Sequence, residues 1–238
     1  MWDLLSLLSY GDQGWGDELL LGLGVTLALA FTTAPLALAL SFLVAWGKTA
    51  GNRVLRPLSH AFTTVFRSLP ELLTLLIIYY QLQFVLNWVA GFFVSGSRLS
   101  LSPFAAGVIA LTLVFGALGS EVIRGAWQAV GKGQSEAAAA LGMRRRHIFL
   151  LVVLPQMWRH SLPALGNLWL LLLKDTALVS VIAVSDLVRY ANMAIATTRE
   201  PFFFYTVLAL IYVTLAFLSG RVQAVLERRA NRGMVEAR

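Results

Sequence analysis

"SEAAAALGMRRRHIFLLVVLP", residues 135–155, is a polar, helix-forming stretch between two strongly apolar segments. Ala137 to Leu141 are strong helix formers, whereas Gly131 and Gly133 before them and Gly142 after them are helix breakers. The pattern predicts a short helix of about two turns, far below the roughly twenty apolar residues that a membrane-spanning helix needs. This helix therefore separates one set of apolar segments from another without crossing a membrane itself.

The composition places the rest of the chain in a membrane. Of its 238 residues, 58% are hydrophobic and 13% are charged, and the mean hydropathy is +0.73. A soluble domain has roughly 45–50% apolar and about 25% charged residues. The chain has no cysteine and only three histidines, so disulfides, thiolate metal sites and cysteine nucleophiles are excluded and a histidine metal centre is not expected. We predict an all-α integral membrane protein.

Apolar runs long enough to cross about 30 Å of hydrocarbon occur five times. The predicted spans cover about residues 19–46, 69–90, 103–123, 163–184 and 202–221. Residues 58–90 are too many for one straight helix, so we predict a break at Pro70. The connection between the third and fourth spans covers about residues 124–162 and contains the polar stretch. One transmembrane domain is predicted over residues 1–238.

The basic residues predict the orientation, because Lys and Arg concentrate on the cytoplasmic side of membrane proteins. Fifteen of the nineteen fall on one side of the predicted spans, three on the other and one, Lys174, inside a span. The fifteen are Lys48, Arg53, Arg56, Arg67, Arg124, Lys132, Arg144, Arg145, Arg146, Arg159, Arg221, Arg228, Arg229, Arg232 and Arg238, and the three are Arg98, Arg189 and Arg199. This distribution predicts a periplasmic N-terminus, which also carries the acidic Asp12, and a cytoplasmic C-terminus. It explains the net charge of +7 without nucleic acid.

The polar stretch is therefore predicted to face the cytoplasm, and the length of the connection that contains it indicates a function beyond joining two helices. A connection between two helices needs only a few residues, and long structured loops usually bind something. Two interpretations stand side by side. The helix is either held on the anionic inner leaflet by Arg144, Arg145 and Arg146, or it is a docking element for another protein.

Ionisable residues inside spans cost about 2.5–3.5 kcal/mol each at the membrane centre and mark candidate functional sites. Lys174 and Asp175 lie deep in the fourth predicted span. As helix neighbours they point about 100° apart and cannot simply pair with each other. They form either a polar clasp between helices or part of a translocation path, in which Thr176 and Ser180 would join Asp175.

Two further acidic residues are candidates for the path. Glu71 follows Pro70, although Arg67 lies four residues earlier and could neutralise it within a helix. Glu121 lies near the inner end of the third predicted span. For Glu121 we favour a local ion pair with Arg124, three residues further on.

The polar stretch also carries a resemblance to a known protein family. "EAAAALG" followed after nine residues by "VVLP" resembles the EAA motif of inner-membrane permease subunits of bacterial ABC importers. The matching residues are Glu136, Ala137, Ala138, Gly142, Leu154 and Pro155. Val152 stands where the family usually has isoleucine, a mild departure.

Other stretches extend the resemblance over most of the chain. "FRSLPELLTLLIIYY" (66–80), "GSEVIRGAWQAVGKGQSEAA" (119–138) and "NLWLLLLKDTALVSVIAVSDL" (167–187) are similar to segments of the polar amino acid permeases, in the same order. "GWGDELLLG" (14–22) is similar to the histidine/lysine/arginine/ornithine and opine branch. The resemblance implies the fold of a type I ABC importer transmembrane domain.

The resemblance also implies a function and a set of partners. In that family the short helix of the EAA loop docks into a cytoplasmic ATPase dimer, which binds the ATP and magnesium. The chain would have no catalytic residues, metal or cofactor of its own. It would work in the bacterial inner membrane, among lipids, with a second permease subunit and a periplasmic substrate-binding protein, and without nucleic acid. Its cargo would be polar, cationic amino acids or opines.

Two other classes of protein compete with this interpretation. The glycine-containing stretches "GNRVLRP" and "GKGQSE" both lack the Walker A motif of ATPases. This absence also fits a secondary transporter driven by an ion gradient, with Asp175 or Glu71 as the relay. Such folds usually contain internal repeats, and none is visible here. A membrane-embedded enzyme would need clustered nucleophiles, acids or metal ligands, and the sparse charged residues form no such set.

Overall fold

The structure, a computed structural model, describes residues 2–11, 14–49, 52–93 and 100–231. The described residues contain helices and no strand. The α-helices are α1 (Trp2–Ser6), α2 (Gly16–Thr49), α3 (Leu55–Ser68), α4 (Glu71–Phe93), α5 (Pro103–Ala129), α6 (Lys132–Ala140), α7 (Arg145–His147), α8 (Leu154–Asp175), α9 (Leu187–Thr198) and α10 (Pro201–Ala230). A π-helical segment (Ile148–Val153) precedes α8, and a 3₁₀ helix (Thr176–Ile182) follows it. Asp12, Arg98, Arg232 and Arg238, which entered the charge argument, lie outside the described residues.

The helices agree with a five-span membrane protein. Gly16–Thr49, Pro103–Ala129, Arg145–Ile182 and Pro201–Ala230 are each long and apolar enough to cross a membrane. The fifth candidate is the pair α3 and α4, whose axes are bent by 111°. The predicted break at Pro70 is confirmed: Leu69 is extended, with ψ 139°, because the proline ring disfavours helical backbone at the residue before it.

Helix α5 forms the centre of the fold. It packs against α2, α4 and α8 around an apolar cluster that includes Leu29, Leu111, Phe115 and Val179. Gly107 permits a close approach of the 3₁₀ helix, since a Cβ there would lie 2.7 Å from Val179 Cγ1. The 3₁₀ helix is thereby held against the N-terminal half of α5.

The helix that contains most of the fourth predicted span, 163–184, is longer than that span. The helix begins well before Pro163, since α8 starts at Leu154 and continues a helical path from Arg145. Pro163 lies inside α8, and the α-helix ends at Asp175. The predicted loop 124–162 is correspondingly almost all helical. Polar residues such as Arg159 suggested a loop, but they lie on a helix that has already begun.

A second and a third cluster complete the packing. The second cluster joins the ends of α2 and α5 to α6 and the π-helical segment, through Ile123, Ala138 and Met157. The third cluster joins α2, α9 and α10, through Leu187 and Phe204. Together they fix the polar connection at one end of the bundle and α9 at the other.

Candidate translocation path and coupling helix

Helix α6 is bounded by glycines, as the sequence predicts. Gly131 is its N-cap residue, and Gly142 has a φ of +78°. The Gly142 N–H donates to Ala139 O (2.9 Å) and the Met143 N–H donates to Ala138 O (3.2 Å). This pair of bonds is a Schellman motif, which satisfies the last carbonyls of a helix and needs a left-handed residue after its end. One detail differs: Gly133 lies inside α6 and does not break it.

Only one side of α6 packs against the rest of the chain. Ala138 is its sole buried residue and joins the cluster beneath the helix. Glu136 and Ala137 are exposed, and Leu141 is 83% exposed. A large apolar side chain standing free at the end of a capped helix has no structural role within this chain.

A cavity of about 370 Å³ opens beside α6. Glu136 and Arg145 line it together with Trp127 and Phe149, whose ring centroids are 5.4 Å apart. Its wall thus carries one carboxylate and one guanidinium over an aromatic floor. These groups can bind complementary charges and an apolar side chain from another molecule.

Leu154 and Pro155 support this end of the molecule from behind. Leu154 packs partly against the cluster under α6, and Pro155 lies in the first turn of α8. Proline has no N–H and crowds the preceding turn, which agrees with the wider π-helical segment just before it. The Gln156 side-chain amide donates to Val152 O at 2.9 Å, which adds a side-chain hydrogen bond to this segment.

The charged candidates in the membrane come together from two helices. Glu71 is the first residue of α4, and Asp175 is the last residue of α8. The Asp175 carboxylate lies within electrostatic range of both Glu71 and Lys174. Its Oδ2 is buried and has no hydrogen-bond partner among the described residues.

This charged group, Glu71, Lys174 and Asp175, is not neutralised internally. The ion pairs found within the described part of the chain both involve Glu121, so the possible Arg67–Glu71 pair is not formed. The Lys174 side chain is exposed. An exposed charge in a membrane-spanning segment normally faces a water-filled path or a partner subunit.

Thr176 and Ser180 do not add free hydroxyls to this group. Thr176 is fully buried and donates to Leu173 O at 2.7 Å, and Ser180 donates to Ala177 O at 2.8 Å. Thr176 and Thr26 lie near the Tyr212 hydroxyl, which is buried and has no hydrogen-bond partner among the described residues. Thr176 belongs to a polar contact inside the bundle.

Glu121 lies apart from the charged group. Its carboxylate pairs with Arg124 at 2.8 Å, as the sequence predicts. The Lys48 ammonium contributes a second ion pair at 2.8 Å and donates to Ser120 Oγ at 3.1 Å. The bonds tie α2 to α5.

Sequence reasoning missed Lys48 and Asp186. Lys48 was counted as a cytoplasmic loop charge, yet its side chain is fully buried; its partner Glu121 is 73 residues away, which no local pattern shows. Asp186 caps α9, its Oδ1 accepting from the Arg189 N–H at 3.0 Å. The signal for it was present, because Asp before an apolar helical stretch is a common N-cap.

Comparison with known proteins adds a family match. Residues 37–232 match the family described as "Binding-protein-dependent transport system inner membrane component". That range runs from α2 to the end of α10. It includes α6, the charged group and the Lys48–Glu121 pair.

Individual relatives cover nearly the whole chain. An octopine transport system permease from Rhizobium radiobacter is 36% identical over 98% of this chain and 98% of its own length. A histidine/lysine/arginine/ornithine transport system permease from Escherichia coli (strain K12) is 38% identical over 94% of this chain and 98% of its own. A solved structure described as an amino acid ABC transporter with histidines superimposes with a TM-score of 0.76 at 32% identity, covering 90% of this chain and 95% of that one.

Proposed function

Because the chain belongs to the family of inner membrane components of binding-protein-dependent transport systems, we propose that it is the permease subunit of an ATP-driven importer of cationic amino acids or opines. It is a multi-pass membrane protein of the inner membrane, and its relatives are permeases of amino acid and opine importers. The cargo class follows from those relatives and from the two carboxylates of the charged group. Histidine, arginine, lysine, ornithine and opines are the candidates.

The observation that carries the proposal is the construction of α6. The helix is capped at its C-terminus by a Schellman motif, buries only Ala138 and leaves Leu141 83% exposed. We infer that this face docks into a cytoplasmic ATPase dimer, with Leu141 as the apolar anchor and Glu136 at the rim. A rigid helix fixed to the ends of α2 and α5 transmits a displacement to the spans better than a flexible loop does.

The charged group supports a role in the path. Two carboxylates within electrostatic range of each other favour a cationic side chain nearby, and Lys174 can balance a substrate carboxylate. Glu71 also stands where α4 begins after a break, and irregular backbone in a membrane is tolerated where it lines a cavity. We infer that the path forms between this face and a second, identical or homologous, permease subunit.

The remaining partners follow from the proposed cycle. A periplasmic binding protein would deliver the substrate to the outer side, where the N-terminus lies in the proposed orientation. ATP and magnesium would be held by the ATPase. Its closure on ATP would move the two copies of α6 together and open the spans outward, and hydrolysis would reset them.

The test is transport by the complex in liposomes. The chain, co-purified with its ATPase and second permease, is reconstituted with the binding protein, and uptake of labelled arginine, histidine and octopine is measured with and without enclosed ATP. We expect uptake only with ATP. Uptake that survives ATP depletion and collapses with an uncoupler would support the ion-gradient transporter instead.

A matched pair of glycine variants in and after α6 tests the coupling. Gly142→Asp forces a left-handed backbone onto a non-glycine residue and puts a carboxylate at the docking face. We expect the variant to insert normally but to lose the ATPase or to hydrolyse ATP without transport. Gly133→Ala, where a Cβ meets nothing within 4 Å, is the control and should transport normally. Equal transport by both variants would contradict the docking role.

A further inference from the structure

A second feature of the membrane surface is an apolar groove of about 600 Å³ between α2, α8 and α10. Helix α8 forms its floor, and α2 and α10 stand on either side. Phe31, Trp169, Leu215 and Leu218 are among the residues that line it. The lining is apolar except for a few groups such as Gln223.

The groove has the length of one membrane leaflet. Along α10 it runs from Leu215 to Leu226, which is about 16 Å at roughly 1.5 Å per residue. Along α8 it runs from Trp158 to Leu173, or about 22 Å. Half of a hydrocarbon core of roughly 30 Å is about 15 Å, and half of a bilayer of roughly 40–45 Å with its headgroup regions is about 20–22 Å. In the proposed orientation, the end at Trp158 and Leu226 lies at the cytoplasmic surface.

That end of the groove is basic. Arg159 follows the lining residue Trp158, and its Nε is buried without a hydrogen-bond partner among the described residues. Arg229 lies three residues beyond Leu226, on the same side of α10. The nearby Glu227 carboxylate accepts instead from the Gln223 amide at 2.8 Å. Arginine is well suited to phosphate because its guanidinium is a fixed fork of donors. Arg159 is partly exposed, so with its Nε buried the contact falls to the outer nitrogens of the guanidinium.

The groove does not belong to the charged group. On a helix of about 100° per residue, Leu165 in the groove lies about 180° from Lys174, and Leu173 lies about 100° from it. The charged face of α8 and the groove face therefore look in different directions. If the charged face meets the second permease subunit, the groove face is left to the lipid.

We propose that the groove binds one acyl chain of an anionic phospholipid of the inner leaflet, with the lipid phosphate on Arg159. The apolar walls match the chain, the length matches one leaflet and the basic end matches the headgroup. The bound lipid would fill the space between α2 and α10. This site is separate from the proposed path, and its test does not depend on substrate.

Native mass spectrometry of the intact complex, exchanged into mild detergent with phosphatidylglycerol, tests the headgroup contact. We expect one phosphatidylglycerol to remain per copy of this chain, in preference to phosphatidylcholine. Arg159→Gln should weaken retention about tenfold, since it removes a charged donor to the phosphate. Arg159→Lys should keep part of it, and Arg53→Gln, an exposed arginine outside the groove, should not change it. Equal retention by Arg159→Gln and Arg53→Gln would overturn the proposal.

Fluorescence quenching by brominated phosphatidylglycerol in vesicles tests the acyl chain. Trp158 and Trp169 line the groove, so we expect a saturable component of quenching that Trp158→Phe and Trp169→Phe together remove. Leu218→Trp, which fills the groove, should displace the lipid; size-exclusion chromatography shows whether that variant still assembles. Quenching without a saturable component would overturn the proposal. So would a photo-crosslinker at residue 218 that captures the second permease chain.

Discussion

At the scale of single residues, the buried charges are the least predictable part of the molecule and the easiest to test. Lys48 is fully buried, whereas Glu121 and Arg124 keep 24% and 34% of their side-chain surface exposed. The three charges therefore do not depend on one another equally. Removal of the Glu121 carboxylate leaves the buried Lys48 ammonium without its ion-pair partner. Removal of the Lys48 ammonium leaves Glu121 still paired with Arg124.

We expect Glu121→Ala to lower stability by about 3–5 kcal/mol, the usual cost of a buried charge left without its partner. Lys48→Met should cost clearly less, because methionine occupies similar space and carries no charge. The double variant Lys48→Met/Glu121→Ala should be more stable than Glu121→Ala alone. Thermal unfolding of the purified complex measures all three. If Lys48→Met proves the more damaging single change, the ion pair is not what holds α2 to α5.

The buried carboxyl of Asp186 predicts that the stability of the protein depends on pH. Burial raises the pKa of its carboxyl to about 6, against weaker lowering by the Arg189 and Val188 N–H groups and the Arg189 charge. Its Oδ2 is buried without a partner among the described residues, and Tyr212 lies in electrostatic range. A raised acid pKa means that the folded state binds the proton more tightly than the unfolded state. The ionised Asp186 carboxylate therefore lowers the free energy of unfolding fully above pH 6 and no longer lowers it below about pH 4.

The melting temperature of the complex should therefore rise as the pH falls from about 6 to about 4, by a contribution on the order of 1–3 kcal/mol. Asp186→Asn retains a capping oxygen and cannot ionise, so it should remove this rise and be more stable than the parent at pH 7.5. Glu200→Gln, at an exposed carboxyl, is the control and should keep the rise. A variant Asp186→Asn with the parent's pH profile would show that Asp186 is not responsible.

At the scale of helices, the sequence predicts those helix ends that depend on the residues immediately around them. The glycines flanking α6 and the proline before α4 determine where those helices end and begin, and both predictions are confirmed. The helical structure before Pro163 was not expected from the sequence, because Pro163 lies inside α8 and Arg159 resembles a loop residue. The Lys48–Glu121 pair and the contact of Thr176 with Tyr212 depend on which helices are neighbours, and hydropathy carries no such information.

The contact of α2 with the start of α9 gives a prediction at this scale. A Cβ on Gly22 would lie 2.8 Å from Leu187 Cα and 2.9 Å from Asp186 O, both backbone atoms. Gly22→Ala should therefore push α9 outward and cost about 1–3 kcal/mol, as overpacking usually does. Gly24→Ala, two residues further along the same helix with nothing within 4 Å, should gain about 0.5–1 kcal/mol. Melting temperatures that shift in the same direction in both variants would contradict the close packing.

At the scale of the whole molecule, orientation and coupling can be tested together because the chain has no cysteine. Every introduced cysteine is then a unique label site. Asn52, Leu141 and Glu200 are exposed and lie in three different connections. The positive-inside argument assigns Asn52 and Leu141 to the cytoplasm and Glu200 to the periplasm.

A membrane-impermeant maleimide should label Glu200→Cys in intact spheroplasts and should label Asn52→Cys and Leu141→Cys only in inverted vesicles. In those vesicles, the bound ATPase should protect Leu141→Cys, since a side chain that is 83% exposed in the isolated chain becomes buried when α6 docks. Asn52→Cys shares the compartment but lies outside α6, so its labelling should not change when the ATPase is stripped. Labelling of Leu141→Cys from outside would reverse the orientation. Equal labelling with and without the ATPase would leave the orientation intact and remove α6 from the coupling interface.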